Sequence, residues 1–171
     1  IIDLADACRT RLAASNPGVD IVVQRGWYSS TDFWSPTLFD RFLFAGIKHN
    51  AEIAHSEGKK FGYVMTTGVE ILGPRLAEAG VDVLYFADPI QDSVDLASLR
   101  DAVGSRMTLV GGTNSLSLSA DNQHRIDSEV KKAIDILGPT NRFILHPVDA
   151  IFPDTPEDGV KRLVDAWMKY R

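Results

Sequence analysis

Residues 143–170 read FILHPVDAIFPDTPEDGVKRLVDAWMKY. The stretch opens on a short apolar run, Phe143 to Leu145, which predicts a buried strand. It then turns through Asp154-Thr155-Pro156, where Asp154 or Thr155 offers an N-cap and Pro156 opens a helix that lasts to Tyr170. Strand, turn and helix in that order make one βα unit. His146 precedes Pro147 just past the strand, and Asp149 follows.

The same unit recurs toward the N-terminus. Met107–Val110 is a strand running into Gly111-Gly112, followed by a helix over Asn122–Leu137 that Gly138-Pro139 closes. Val81–Phe86 is a strand, and Leu96–Val103 is a helix closed by Gly104. Phe61–Met65 and Val69–Ala79 form another pair, ended by Gly80. Ile21-Val22-Val23 is a β-branched run. After it, Ser35 as N-cap and Pro36 at the first turn start one long helix, with Phe39, Phe42, Leu43 and Ile47 on one face and Gly58 at its end. A helix over residues 1–14 carries Leu4, Cys8 and Leu12 at helical spacing, which makes Cys8 a small core residue. Asn16-Pro17-Gly18 stops it.

Five strands alternating with helices predict an α/β fold of parallel βαβ units. The strands are apolar throughout, as when both faces of a sheet are covered. An open doubly wound sheet and a (β/α)8 barrel both hold this pattern. The turn after the first strand is Gln24-Arg25-Gly26-Trp27-Tyr28-Ser29-Ser30, which is no G-x-G-x-x-G, and no Walker motif occurs. Polar residues gather after strand ends instead, where barrels collect their chemistry. A full barrel takes eight strands and about 250 residues, so five units make a part of one.

Composition bounds the function classes. The chain has 171 residues, 44% hydrophobic and 24% charged, which are globular proportions. Net charge is −5 and Lys and Arg form no stripe, so no nucleic-acid partner is expected. No apolar run reaches the roughly 18 residues of a membrane helix. One cysteine makes no internal disulfide, which suits a reducing, cytoplasmic setting, and it builds no multi-cysteine zinc site.

The candidate site residues each have two readings. His146 is a general acid or base, or a donor to an anion; otherwise it satisfies loop carbonyls. Asp149 is a working residue or caps the following turn. Arg25, beside Gln24, clamps a carboxylate or pairs with an acid such as Asp88. Trp27, Tyr28, Phe33 and Trp34 wall a flat-ligand pocket, or pack under their loop or in an interface. Thr66, Thr67, Thr113 and Asn114 orient a ligand or merely begin loops. His49, His55 and His124 belong on outer helix faces.

Several stretches carry a family resemblance: SPTLFDRF (35–42), LAEAGVDVLYFADPIQD (76–92), DLASLRDAVGSRMTLVGGTNS (95–115), EVKKAIDILGP (129–139) and the opening segment 143–170. In consistent order over essentially the whole chain, they resemble the uroporphyrinogen decarboxylase superfamily. That group holds haem-synthesis decarboxylases and cobamide-dependent methyltransferases, all (β/α)8 barrels. The resemblance implies strands four to eight of such a barrel. The serine after the fourth strand matches Ser29, or Ser30 with a one-residue slip, and the substrate-contacting histidine after the eighth strand falls at Asp149. The seventh-strand turn GGTNS departs from the decarboxylases' Gly-Asn-Leu-Asp type. The zinc ligands of thiol-activating methyltransferases fall at Met65, Thr67 and Asp149, so no metal is expected.

The function this implies is an enzyme barrel acting on an anionic or aromatic small molecule by decarboxylation-type lyase chemistry without a cofactor. His146 and Asp149 would be catalytic, and Gln24, Arg25, Trp27, Tyr28, Ser29, Thr66, Thr67, Asp88, Thr113 and Asn114 would bind substrate. The alternatives are cobamide-linked methyl transfer lacking the thiolate zinc site, with the cobamide carried by a partner, and a non-catalytic binding or assembly module. An incomplete barrel also implies self-association or a partner segment that completes it.

Overall fold

The structure is a computed structural model that describes residues 2–119 and 121–171. The elements run α1 (Ile2–Ala14), β1 (Ile21–Arg25), α2 (Pro36–Phe42), α3 (Phe44–Ser56), β2 (Lys60–Val64), α4 (Val69–Glu78), β3 (Val83–Ala87), α5 (Leu96–Val103), β4 (Thr108–Asn114), α6 (Ile126–Leu137), β5 (Phe143–Val148) and α7 (Glu157–Tyr170). The five strands belong to one sheet in the order β1-β2-β3-β4-β5. By internal contacts the chain divides into two compact units, Ile1–Tyr85 and Phe86–Arg171.

In the first unit β1, β2 and β3 pair in parallel, with Val22 opposite Phe61 and Gly62 opposite Val83. α1 packs on α3 and β1, and α3 on β2. Val22, Phe61, Tyr63, Phe39, Ile47 and Leu72 are buried here. Each large apolar side chain so removed from water contributes about 1.5–3 kcal/mol. Asp82 ties the base of the sheet: its carboxylate accepts from the Phe61 N–H at 2.9 Å and Lys60 Nζ at 2.9 Å, and meets His55 Nε2 at 2.7 Å.

Three expectations are corrected in this unit. The long helix from Pro36 is two helices that meet at Leu43, whose φ of −113° distorts the turn there. Ser35 still caps the first of them, its hydroxyl accepting from the Leu38 N–H. Cys8 is exposed, with Leu4 and Leu12 on the same outward stripe. α1 buries Thr10 and Ala14 instead, small residues that let the helix lie close to its neighbours. β1 is not covered on both faces either, since Ile21 and Val23 are exposed while Val22 is buried.

In the second unit β4 and β5 pair in parallel, Gly112 opposite His146 and Asn114 opposite Val148. Leu118, Ile126, Val130, Leu163 and Ala166 form a core there, with Leu145 packed against it. β4 does not stop at Val110 but runs on through Gly111 and Gly112 to Asn114. Gly111 has φ +148°, and a Cβ there would lie 2.5 Å from the Ala87 carbonyl oxygen at the end of β3, so the close approach of the two backbones requires glycine. β5 likewise extends to Val148, which puts His146 and Pro147 inside the strand instead of beyond it. Neither Asp154 nor Thr155 caps α7. Its N-cap is Pro156, and the Thr155 hydroxyl accepts from the Phe152 N–H at 3.1 Å. Ile144 is exposed, a second departure from strands covered on both faces.

Candidate functional site

The C-terminal end of β1 opens a cavity of about 340 Å³ in the first unit. Gln24 and Arg25 from β1, the loop Gly26-Trp27-Tyr28-Ser29, Trp34, Ile47 and Asn50 from α3, Tyr63 from β2 and Asp6 from α1 line it. Six of the residues singled out from sequence therefore meet in one place: Gln24, Arg25, Trp27, Tyr28, Ser29 and Trp34.

Local hydrogen bonds fix the walls. The Gly26 N–H donates to Val64 O at 2.8 Å, so the chain leaves β1 still tied to β2. Trp34 Nε1 donates to Tyr28 O at 2.7 Å, closing the aromatic loop on itself. Tyr28 meets Phe33 edge-on, with ring centroids 5.4 Å apart, while Phe33 itself is exposed. Thr66 Oγ1 donates to Trp27 O at 3.2 Å and Thr67 Oγ1 to Asp32 Oδ2 at 2.7 Å. Those two threonines brace the loop; neither lines the cavity. The Ser30 hydroxyl is buried without a hydrogen-bond partner among the described residues.

The floor is polar and buried. Asn50 Nδ2 donates to Gln24 Oε1 at 2.9 Å. Burial pushes the pKa of the Tyr63 phenol up to about 12, the Ser29 side chain pulling the other way. A Cβ at Gly26 would stand 2.2 Å from the Tyr63 hydroxyl, so the phenol reaches the cavity only because residue 26 is glycine. Arg25 at the mouth is exposed and has no ion-pair partner among the described residues. Asp6 across the wall is tied to Arg9 at 2.6 Å.

The remaining candidates lie in the second unit. Asp88 and Asn114 are buried and mutually satisfied: Asn114 Nδ2 donates to Asp88 Oδ2 at 2.7 Å, and Asp88 Oδ1 accepts from the Ile90 and Gln91 N–H groups. Asn114 Oδ1 accepts from the Leu116 N–H. Thr113 is buried and its hydroxyl donates to His146 O at 3.2 Å. These three side chains hold the strand ends together, and their hydrogen bonds are internal.

His146 is half-buried and stacks on Phe86, with centroids 6.2 Å apart and planes 25° apart. Its Nδ1 is buried with no hydrogen-bond partner among the described residues, and burial pulls its pKa below the usual histidine value. Asp149 is exposed just beyond β5, in the left-handed region at φ +71°. Aspartate tolerates that conformation better than most residues.

Sequence reasoning missed Asn50, Tyr63 and Phe86. Asn50 carried a signal: an amide amid Ile47, Ala51, Ile53 and Ala54 on the buried side of a helix. Phe86 carried none, because its φ of +75° is not encoded in its residue type.

Met65 is fully buried and the Thr67 hydroxyl is committed to Asp32, so these residues do not fit a zinc ion. Among the described residues no three His, Cys, Asp or Glu side chains gather to hold a metal. No described helix is long and apolar enough to cross a membrane.

Comparison with solved structures places the chain beside a methyltransferase from Methanosarcina mazei, with a TM-score of 0.79 and 23% sequence identity. The match covers 99% of this chain and 48% of that one, so the chain spans about half the length of this neighbour. At that identity the likeness shows the fold, and the five parallel strands are a partial (β/α)8 barrel. Comparison with curated proteins gave no match. The profile of the uroporphyrinogen decarboxylase (URO-D) family matches residues 4–170, and the chain belongs to that family.

Proposed function

We propose that this chain is part of an enzyme that binds a small anionic molecule with an aromatic face at the end of β1 and removes a carboxyl group from it. The observation that carries the reading is Arg25, an exposed guanidinium with no carboxylate partner among the described residues, at the mouth of a cavity walled by Trp27, Tyr28 and Trp34. A guanidinium binds carboxylate through two parallel N–H bonds, and flat rings present their faces to a flat ligand. The volume of about 340 Å³ is near the lower end of ligand pockets, which favours a small acid over a whole tetrapyrrole.

Arg25 would anchor a carboxylate that stays, while the aromatic walls strip water from the one that leaves. Decarboxylation breaks the C–C bond, leaves its electron pair on carbon and requires a proton there. His146 and Asp149, on the second unit, are proposed in their own right as acid–base residues of the family's chemistry. The family membership supports lyase chemistry, and no cofactor is part of this reading. Methyl transfer with a partner-borne cobamide is the second reading, favoured by the fold of the neighbouring methyltransferase.

Calorimetric titration with benzoate, with a porphyrin tetracarboxylate and with cobalamin separates these readings. Benzoate is expected to bind, and Arg25→Gln to weaken it roughly tenfold, the loss of one charge-assisted pair. Benzoate affinity unchanged by Arg25→Gln would overturn the reading. Binding of cobalamin alone would replace it with methyl transfer, and binding of none would favour the assembly module.

A further inference from the structure

Asn50 lies in the middle of α3, 3% exposed, on the wall of the cavity at the end of β1. Its Nδ2 is used by Gln24 Oε1 at 2.9 Å. Its Oδ1 is buried and has no hydrogen-bond partner among the described residues. Nearly all buried side-chain polar atoms in folded proteins find a partner, so an orphaned carbonyl oxygen on a cavity wall asks what donor fills it. An asparagine is also a poorer helix former than the alanines beside it, so neither helix propensity nor burial accounts for the amide.

Asn50 itself occupies Gln24 Oε1, and Asp6 is held by Arg9. Two groups on the cavity lining are suited to a ligand that is both anion and donor: the cation at Arg25 and the acceptor at Asn50 Oδ1. We propose that the cavity recognises its ligand at two points, Arg25 taking a carboxylate and Asn50 Oδ1 taking an N–H or O–H donor of the same molecule. The ligand class is then a small aromatic acid that carries a hydrogen-bond donor. This rests on the anion-binding reading above and adds the donor to it.

Isosteric probe pairs on the unaltered chain test the proposal. Pyrrole-2-carboxylate and furan-2-carboxylate differ in one ring N–H; 3-hydroxybenzoate and benzoate differ in one hydroxyl at a longer reach. The donor-bearing member of at least one pair is expected to bind roughly tenfold more tightly, and the preferred pair tells a ring N–H from a hydroxyl. Asn50→Leu, close in volume and lacking the acceptor, is expected to erase that preference while benzoate binding persists. Equal affinity within both pairs, or tighter binding of the donor-free members, would overturn the donor site and leave the anion reading standing. Failure of all four acids to bind would overturn the anion reading, and this proposal with it.

Discussion

The phenyl ring of Phe86 lies 6.2 Å from the imidazole of His146, and Phe86 holds it there from a backbone φ of +75°. A bulky side chain in the left-handed region is strained by about 1–3 kcal/mol. The ring covers one face of an imidazole whose Nδ1 is buried without an acceptor. An N–H orphaned in that position costs more than a lone pair would, so the neutral ring carries its proton on Nε2.

His146 is therefore expected to titrate below 6.5 and to show the Nε2–H tautomer by proton–nitrogen NMR. Its depressed pKa means that the unfolded chain takes up the proton first. Stability is full above pH 6.5 and declines as pH falls through the folded value. Phe86→Gly relieves the backbone strain and uncovers the imidazole, so the midpoint should climb toward 6.5. An unmoved midpoint would show that the ring does not desolvate His146.

Tyr63 gives the opposite limb of the pH profile. Its folded pKa of about 12 stands above the model-peptide value of 10.0, so the unfolded chain ionises first as pH rises. Its contribution is intact below pH 10 and is lost between about pH 10 and 12, on the order of 2–3 kcal/mol. Tyr63→Phe should flatten that part of the curve, read as the difference between the two proteins in urea unfolding at pH 9 and pH 12. Parallel curves would mean that the phenol is not desolvated in the folded chain.

Gly26→Ala places a methyl group 2.2 Å from the Tyr63 hydroxyl. The Tyr63 ring is buried and the Gly26 amide is tied to Val64 O, so neither side yields freely. Destabilisation by about 1–3 kcal/mol is expected from the overpacking. Loss of acid binding should accompany it, since the methyl projects toward the cavity floor. A stable variant with unchanged benzoate affinity would disprove this account of the floor.

How far the sequence disclosed this arrangement depends on the kind of signal. Alternating apolar runs and glycine stops gave α5 to the residue and β2 and α4 to within a residue or two, because both depend on local pattern. The clustering of Gln24, Arg25, Trp27, Tyr28 and Ser29 was legible because all leave one strand end. Asp88, Thr113 and Asn114 looked like loop-start ligands, yet internal partners absorb their hydrogen bonds, some in the adjoining turn and some, as in Asn114–Asp88 and Thr113–His146, distant in sequence. Cys8 was misplaced for a related reason. Helical spacing marks an apolar stripe, but which stripe faces inward is decided by the close fit of Thr10 and Ala14.

β5 is the last strand in the sheet order, and one side of its hydrogen-bonding ladder is left open. Beside it runs a groove of about 390 Å³ lined by Phe143, Ile144, Leu145, Leu163, Val164 and Trp167. Ile144 and Val164 are each about half exposed, at 51% and 49%. An open edge with apolar side chains along it is a template for pairing with another chain; β5 contains no Lys, Glu or Asp, and Pro147 near its end confines such pairing to the Phe143–Leu145 part of the strand. The 171-residue chain is therefore expected to associate with a second copy of itself through β5 in a concentration-dependent way. Sedimentation equilibrium measures this directly. Ile144→Lys puts a charge on the half-exposed edge and should shift the equilibrium toward monomer with little change in thermal midpoint. Hydrogen exchange supplies the independent readout, since β5 amides on the open side should be slowed at high protein concentration and fast at low concentration. A chain that stays monomeric at high concentration, with exchange independent of concentration, would show that the β5 edge is protected within a single copy.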